Sequence, residues 1–378
     1  MYILLCWLIP VIFSTIQYLN YTQINGAYNI DLYVGNPRSF HYFEIDLQSP
    51  FTLMHTNSLI KEHSTSFISF GSIGMEKELI EDEIVLNADK EISINKFFFY
   101  YTNKPKQEND YVSFSYSLLD KRLSIVHQLK EKGEISELKF GLLPQERNTG
   151  RIFLGGFPET IKENYHSLTY HVEEKWGTQI NSVKIGNLIK YKGNNEYGLL
   201  QGNLNAILVP KKVMILLNKH YFNDFFNKGK CAYESDSINC ECSIMGTLPT
   251  IVFELGKKEK MLVEFKSEEL FLPIGINCRF LIEENTKEEN QFVFGIPFLK
   301  RYPMQFDYDN HSFTIYSKTM FTFNKIEFLF KILLITLINC ILGLSSFILF
   351  LLFSKIKKQN KRKTLLLTNM NYAFIHHE

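Results

Sequence analysis

Residues 332–353 form a run of 22 residues without a charge, closed abruptly by Lys355, Lys357, Lys358, Lys361, Arg362 and Lys363. A stretch of that length covers the ~30 Å hydrocarbon core of a bilayer as a helix. A buried core helix would not explain the basic stop. The pattern predicts a single transmembrane helix over 330–353 and a short disordered tail over 354–378, kept cytoplasmic by its basic run. At the other end, Ile3 to Phe13 is apolar over a signal-peptide length, too short to span, and Ser14 and Thr15 follow. A signal peptide over 1–18 is expected. Together the ends describe a single-pass type I protein of the secretory pathway or cell surface, with its body lumenal or extracellular.

The cysteines agree with that side of the membrane. Of six, Cys6 lies in the leader and Cys340 in the membrane segment; Cys231, Cys240, Cys242 and Cys278 remain. An even set confined to one region suggests two disulfides in an oxidising compartment, with three pairings open. Zinc is the competing use, but C-x8-C-x-C-x35-C is not a paired CxxC arrangement. Asn20-Tyr21-Thr22 and Asn310-His311-Ser312 are N-glycosylation acceptors if the body is lumenal.

The body reads as many short strands. Tyr28 to Val34 alternates and is broken by Gly35-Asn36-Pro37; Phe40 to Ile45 follows and ends at Asp46. Further candidates are Glu83–Leu86, Ile92–Ile94, Phe97–Tyr101, Arg151–Leu154, Ser167–His171, Thr250–Leu255, Leu262–Phe265, Phe292–Phe294, Gln305–Tyr308 and Phe313–Tyr316. The helix candidates are Leu118–Lys132, with a three- and four-residue apolar stripe, and Pro210–Asn218, opened by proline. Phe 33 and Tyr 20 are high counts that suit pleated, half-buried surfaces. Lys+Arg 41 against Asp+Glu 40 gives no global pull toward nucleic acid, which argues against that partner. The chain has no Walker loop, GxGxxG, HExxH or G-x-S-x-G, so nucleotide, zincin and serine-hydrolase chemistry have no anchor.

Several of these segments carry a resemblance. Tyr28-x5-Val34-Gly35-Asn36-Pro37, with Asp46 eleven residues after Gly35, resembles the N-terminal signature of pepsin-like aspartic proteases. Phe70-Gly71-Ser72, then Leu79, Asp82 and Ile84, resembles the flap hairpin and the next strand. Gly150 to Gly156 is similar to the stretch before the second lobe, and Trp176 before Val183 to Gly186 to the strand after it. Leu248-Pro249-Thr250-Ile251-Val252-Phe253, then Phe294-Gly295-x2-Phe298-Leu299 and Phe306-Asp307, resemble closing elements of that family. The order holds across about residues 28 to 316. The resemblance implies a mainly β, bilobal fold. Two pseudo-symmetric barrel-like lobes over 25–165 and 166–318 would flank a cleft for an extended peptide or protein ligand. It implies neither cofactor nor metal.

The chemistry departs from the family at its centre. The family's reaction uses one aspartate from each lobe, held ~3 Å apart and sharing a proton, so that one activates water while the other polarises the scissile carbonyl. Asp46 fills the first position, but Leu47-Gln48-Ser49 stands where the family has Thr-Gly-Ser. Counting back from Pro210 puts Gln201-Gly202-Asn203-Leu204 at the second motif, with Gln201 in place of the aspartate. The chain has no aspartate between Leu188 and Tyr221, and none anywhere followed by Thr-Gly or Ser-Gly. Phe70 stands at the flap tyrosine. Asp110-Tyr111-Val112-Ser113-Phe114 replaces the family's Asp-Gly-Ile-Leu-Gly support. These departures imply a pepsin-like protein without hydrolytic activity. The alternative is an endopeptidase active at acid pH, which needs a second carboxylate such as Glu196 or Asp224 to reach Asp46. Asp46 also fits a strand-end turn residue, and Gln201 a purely structural cross-lobe contact.

Overall fold

The computed structural model describes residues 16–375, apart from 56–63, 67, 73–77, 87–91, 103–108, 117–122, 147, 194–195, 235–236, 258–259, 289 and 319–324. The chain falls into two units, Met1–Phe321 and Thr322–Glu378.

The first unit is mainly β. The alternating segment before the Gly35 turn is the strand Ala27–Val34, paired antiparallel with Ser39–Asp46. Its period of two sends Ile30, Leu32 and Val34 into the core together with Phe43 and Ile45 of the partner. Gly35 takes a φ of 83°, a left-handed conformation that glycine adopts without a Cβ clash. Ile92–Ile94 and Phe97–Tyr101 are one strand, Ile92–Thr102, rather than two. Its register against Glu78–Leu86 shifts between Asp82 and Ile84, so exposed Asn95 and Lys96 are taken up as a bulge while Ile94 and Phe97 both stay buried.

Sheet connectivity crosses the expected lobe boundary at 165/166. Among the described residues a 13-stranded sheet carries the first half of the body and also takes in His166–His171, Met304–Asp307 and Ser312–Ser317. Met304–Asp307 pairs directly with Lys139–Pro144. An eight-stranded sheet forms most of the second half. The strand Gln17–Ile24 pairs with both Thr149–Leu154 and Ala27–Val34. It includes Gln17 and Tyr18, the last two residues of the expected signal peptide; residues 1–15 lie outside the described ones. Of the helix expected over Leu118–Lys132, Ile125–Glu131 is formed, with Leu123, Val126 and Leu129 buried, and 117–122 lie outside. Pro210 opens the helix Lys211–Leu217 as expected.

The structure closes the cysteine pairing left open by the sequence; register sets Cys240 opposite both Cys231 and Cys278, and the bond goes to Cys231. Cys231 on Cys231–Glu234 faces Cys240 on Ser237–Glu241, and the two are bonded. Cys242, just beyond that strand, is bonded to Cys278 on Asn277–Phe280. The second bridge closes a sequence separation of 36 residues. Chain-entropy arguments give such a loop about 3–4 kcal/mol. Cys278→Ser is therefore expected to lower the unfolding free energy by roughly that amount, read as a shift in denaturant midpoint with unchanged slope. An unchanged midpoint would remove the bridge from the account of stability.

The second unit contains the helix Lys325–Ile375, whose stretch Leu333–Asn360 is long and apolar enough to cross a membrane. The tail expected to be disordered continues this helix to Ile375. Beyond Gly343 the chain has neither glycine nor proline, and Lys, Gln, Arg and Leu are good helix formers.

Candidate functional site

Two loops meet at the centre of the body. The first is delivered by Ser39–Asp46, which ends on a buried Asp46. Oδ1 of Asp46 accepts the backbone N–H groups of Gln48 (2.7 Å) and Ser49 (2.9 Å), so the carboxylate closes its own turn. Tyr111–Ser113 runs parallel alongside, opposing Ser113 to Asp46, and Phe114 N–H donates to the Asp46 carbonyl (2.8 Å). Serine hydroxyls hold the loop. Ser113 Oγ donates to the Ser49 carbonyl (2.5 Å) and Ser115 Oγ to that of Gln48 (3.0 Å).

The second loop repeats the arrangement. Tyr197–Leu200 runs parallel to Phe292–Phe294, opposing Leu200 to Phe294. Extending that register by one residue sets Gln201 against Gly295, as Asp46 is set against Ser113. Gln201 N–H donates to the Phe294 carbonyl (3.0 Å). A Cβ on Gly295 would lie 2.1 Å from the Leu204 carbonyl oxygen, so glycine is required here by backbone contact. The side-chain amide of Gln201 donates to Asn203 Oδ1.

The loops interlock reciprocally. Gln48 Nε2 crosses to the carbonyls of Leu200 (2.6 Å) and Trp176 (3.2 Å). In return Gly202 packs onto the residue before Asp46: a Cβ there would lie 2.4 Å from the Ile45 carbonyl oxygen. The Gly202 carbonyl accepts from Tyr28 N–H (3.1 Å). Beneath them, Trp176 Nε1 (2.7 Å) and Tyr308 Oη (2.9 Å) both donate to the Phe114 carbonyl. Burial pushes the Tyr308 hydroxyl above the ordinary tyrosine range, which keeps it a donor. Gln48 is the residue that sequence reading missed. Its signal was available: a long amide in a motif position where the family keeps glycine.

The two alternative carboxylates are Glu196 and Asp224. Glu196 is buried, and its Oε1 accepts from Tyr191 Oη and from Lys212 Nζ (3.1 Å). Tyr191 in turn is pushed up to about 12 by desolvation and by hydrogen bonding to Glu196. Asp224 is exposed on the short helix Asn223–Asn227. Phe70 lies on Ile68–Ser72, in a hairpin with Glu78–Leu86 whose turn, 73–77, is outside the described residues. Its ring is half-exposed, 5.7 Å from that of Phe98, and a phenyl offers no hydroxyl to a cleft. Asn20 and Asn310 are both exposed; Asn310 Nδ2 also donates to Asp307 Oδ2 (2.8 Å).

A family model described as eukaryotic aspartyl protease matches residues 31–317. Among solved structures the chain is similar to the aspartic proteinase from Irpex lacteus, at 13% identity and a TM-score of 0.60. It is also similar to Basic 7S globulin from soybean, at 10% identity and a TM-score of 0.62. Each match covers 81% of this chain and 98% of the other. With about three quarters of its length matched by the family model, and with the two-loop architecture just described, the chain belongs to the eukaryotic aspartyl protease family, and its fold is pepsin-like.

Proposed function

We propose that this protein is a membrane-anchored pseudoprotease that holds an extended peptide in its cleft without hydrolysing it. One observation carries the reading: the loop facing that of Asp46 presents Gln201, an amide, where the reaction needs a second carboxyl. A glutamine amide neither ionises nor passes a proton near neutral pH. The pair that shares a proton, lowering one acidity and raising the other, is absent by composition. The Gln48 bridge supports the same reading, because it spends the entry to the second loop on a fixed interlobe contact. Two disulfides and the basic flank of the apolar helix favour a lumenal or extracellular body with a cytoplasmic C-terminus. Asn20 and Asn310 would then be glycosylated.

Peptide holding uses backbone hydrogen bonds and alternating side-chain pockets, neither of which needs the acid pair. The full chain in detergent is therefore expected to retain peptides from a random decapeptide pool, to release them to a statine-type competitor, and to return them intact. Failure to retain any peptide that the competitor displaces would remove the binding half of this reading.

A further inference from the structure

A cavity elsewhere on the body shares with the interlocked loops only Tyr28, the N–H donor to Gly202. It has a volume of about 660 Å³, and its lining includes Lys300, Arg301, Lys318, Glu269, Tyr165 and Tyr302 but none of Asp46, Gln48, Phe70 or Gln201. Three cations face one carboxylate. That carboxylate is already used, since Arg301 Nη1 meets Glu269 Oε1 at 2.5 Å, with the guanidinium 4.9 Å from the centre of the Phe265 ring. Lys318 Nζ rests 5.7 Å from the centre of the Tyr165 ring. No carboxylate pairs with Lys300 or Lys318 among the described residues. Lys300 reaches solvent, yet desolvation, with the Arg301 charge adding to it and the Glu269 charge opposing it, holds its ammonium below the ordinary lysine range. An anion entering the cavity would supply the missing counter-charge to both lysines.

We propose that this cavity binds a phosphate ester of a sugar or polyol. Two ammonium groups without a paired carboxylate act as point charges toward phosphate, and Arg301, whose Nε is buried without a hydrogen-bond partner, adds a guanidinium beside them. The volume exceeds that of a bare phosphate and falls in the range of small-molecule sites. Tyr165 and Tyr302 line the same cavity and offer aromatic surface beside the cations. This site is independent of whether the Asp46 cleft hydrolyses peptides.

Calorimetric titration of the full chain in neutral detergent tests it, with glucose 6-phosphate, glucose and inorganic phosphate as probes. Saturable binding of glucose 6-phosphate, tighter than either fragment, is expected. It should weaken at least about tenfold in Lys300→Gln and in Lys318→Gln, and stay unchanged in Lys228→Gln, an exposed lysine outside the cavity. Repeating the titration in nanodiscs with a phosphoinositide separates the two sources of the ester. A weakened response there assigns the cavity to a lipid headgroup, and an unchanged one to a soluble ester. Absence of saturation with any phosphate probe up to about 10 mM overturns the proposal, as does equal binding by the Lys300 and Lys318 variants.

Discussion

Trp176→Ala is expected to destabilise the body by about 3–5 kcal/mol, lowering the melting temperature by on the order of 10 °C. The indole is wholly buried, with ring centroids 5.1 Å from those of Tyr116, Phe306 and Tyr308. Its Nε1 donates to the Phe114 carbonyl at 2.7 Å, and its own carbonyl accepts from Leu200 N–H at 2.9 Å and from Gln48 at 3.2 Å. Alanine would leave a cavity and remove one of the two donors to the buried Phe114 carbonyl, Tyr308 supplying the other. Trp176→Phe separates the two terms, since it keeps most of the volume and loses only the donor; a cost of about 1–2 kcal/mol is expected. Calorimetry or denaturant titration reads both. An alanine variant as stable as the parent would show that the aromatic cluster does not join the halves.

Gln201→Asp alone is expected to leave peptide hydrolysis within about tenfold of the parent's background, although it restores a second carboxyl. The reason lies in the surrounding loops. Leu47 is buried and apolar where the family has threonine, and Gln48 occupies the bridge to Leu200. A pair of carboxyls works only if both are held and solvated alike, because proton sharing belongs to the pair. The combination Leu47→Thr, Gln48→Gly and Gln201→Asp is expected to exceed the single variant by at least about 100-fold, toward the lower end of what general acid–base catalysis contributes. Measured at roughly pH 3–6 on a quenched peptide, strong inhibitor-sensitive turnover by the single variant would contradict this account of Leu47 and Gln48.

Much of the fold and of the first loop was legible because it rests on local chemistry. Tyr28, the Gly35-Asn36-Pro37 turn and the spacing to Asp46 are fixed by a two-residue period and by one turn needing a positive φ. Pro210 likewise marked the start of the helix Lys211–Leu217. What escaped was everything decided by register or by distant packing. The disulfide pairing depended on three strands brought side by side, with Cys240 flanked by Cys231 and Cys278. The fusion of Ile92–Ile94 with Phe97–Tyr101 needed a bulge against the neighbouring strand. The supports at Ser113 and Ser115 are hydroxyl contacts that spacing does not reveal. Gln48 was visible as a departure, but its reach across 152 residues of sequence to Leu200 was not.

The most direct test of the central claim is cleavage of a quenched peptide by the purified full chain at acid pH, with a statine-type inhibitor and an Asp46→Asn variant as references. The account predicts a signal no greater than that of the variant and no effect of inhibitor on the rate. Turnover that the inhibitor blocks and Asp46→Asn abolishes would show that a second carboxyl serves Asp46 after all.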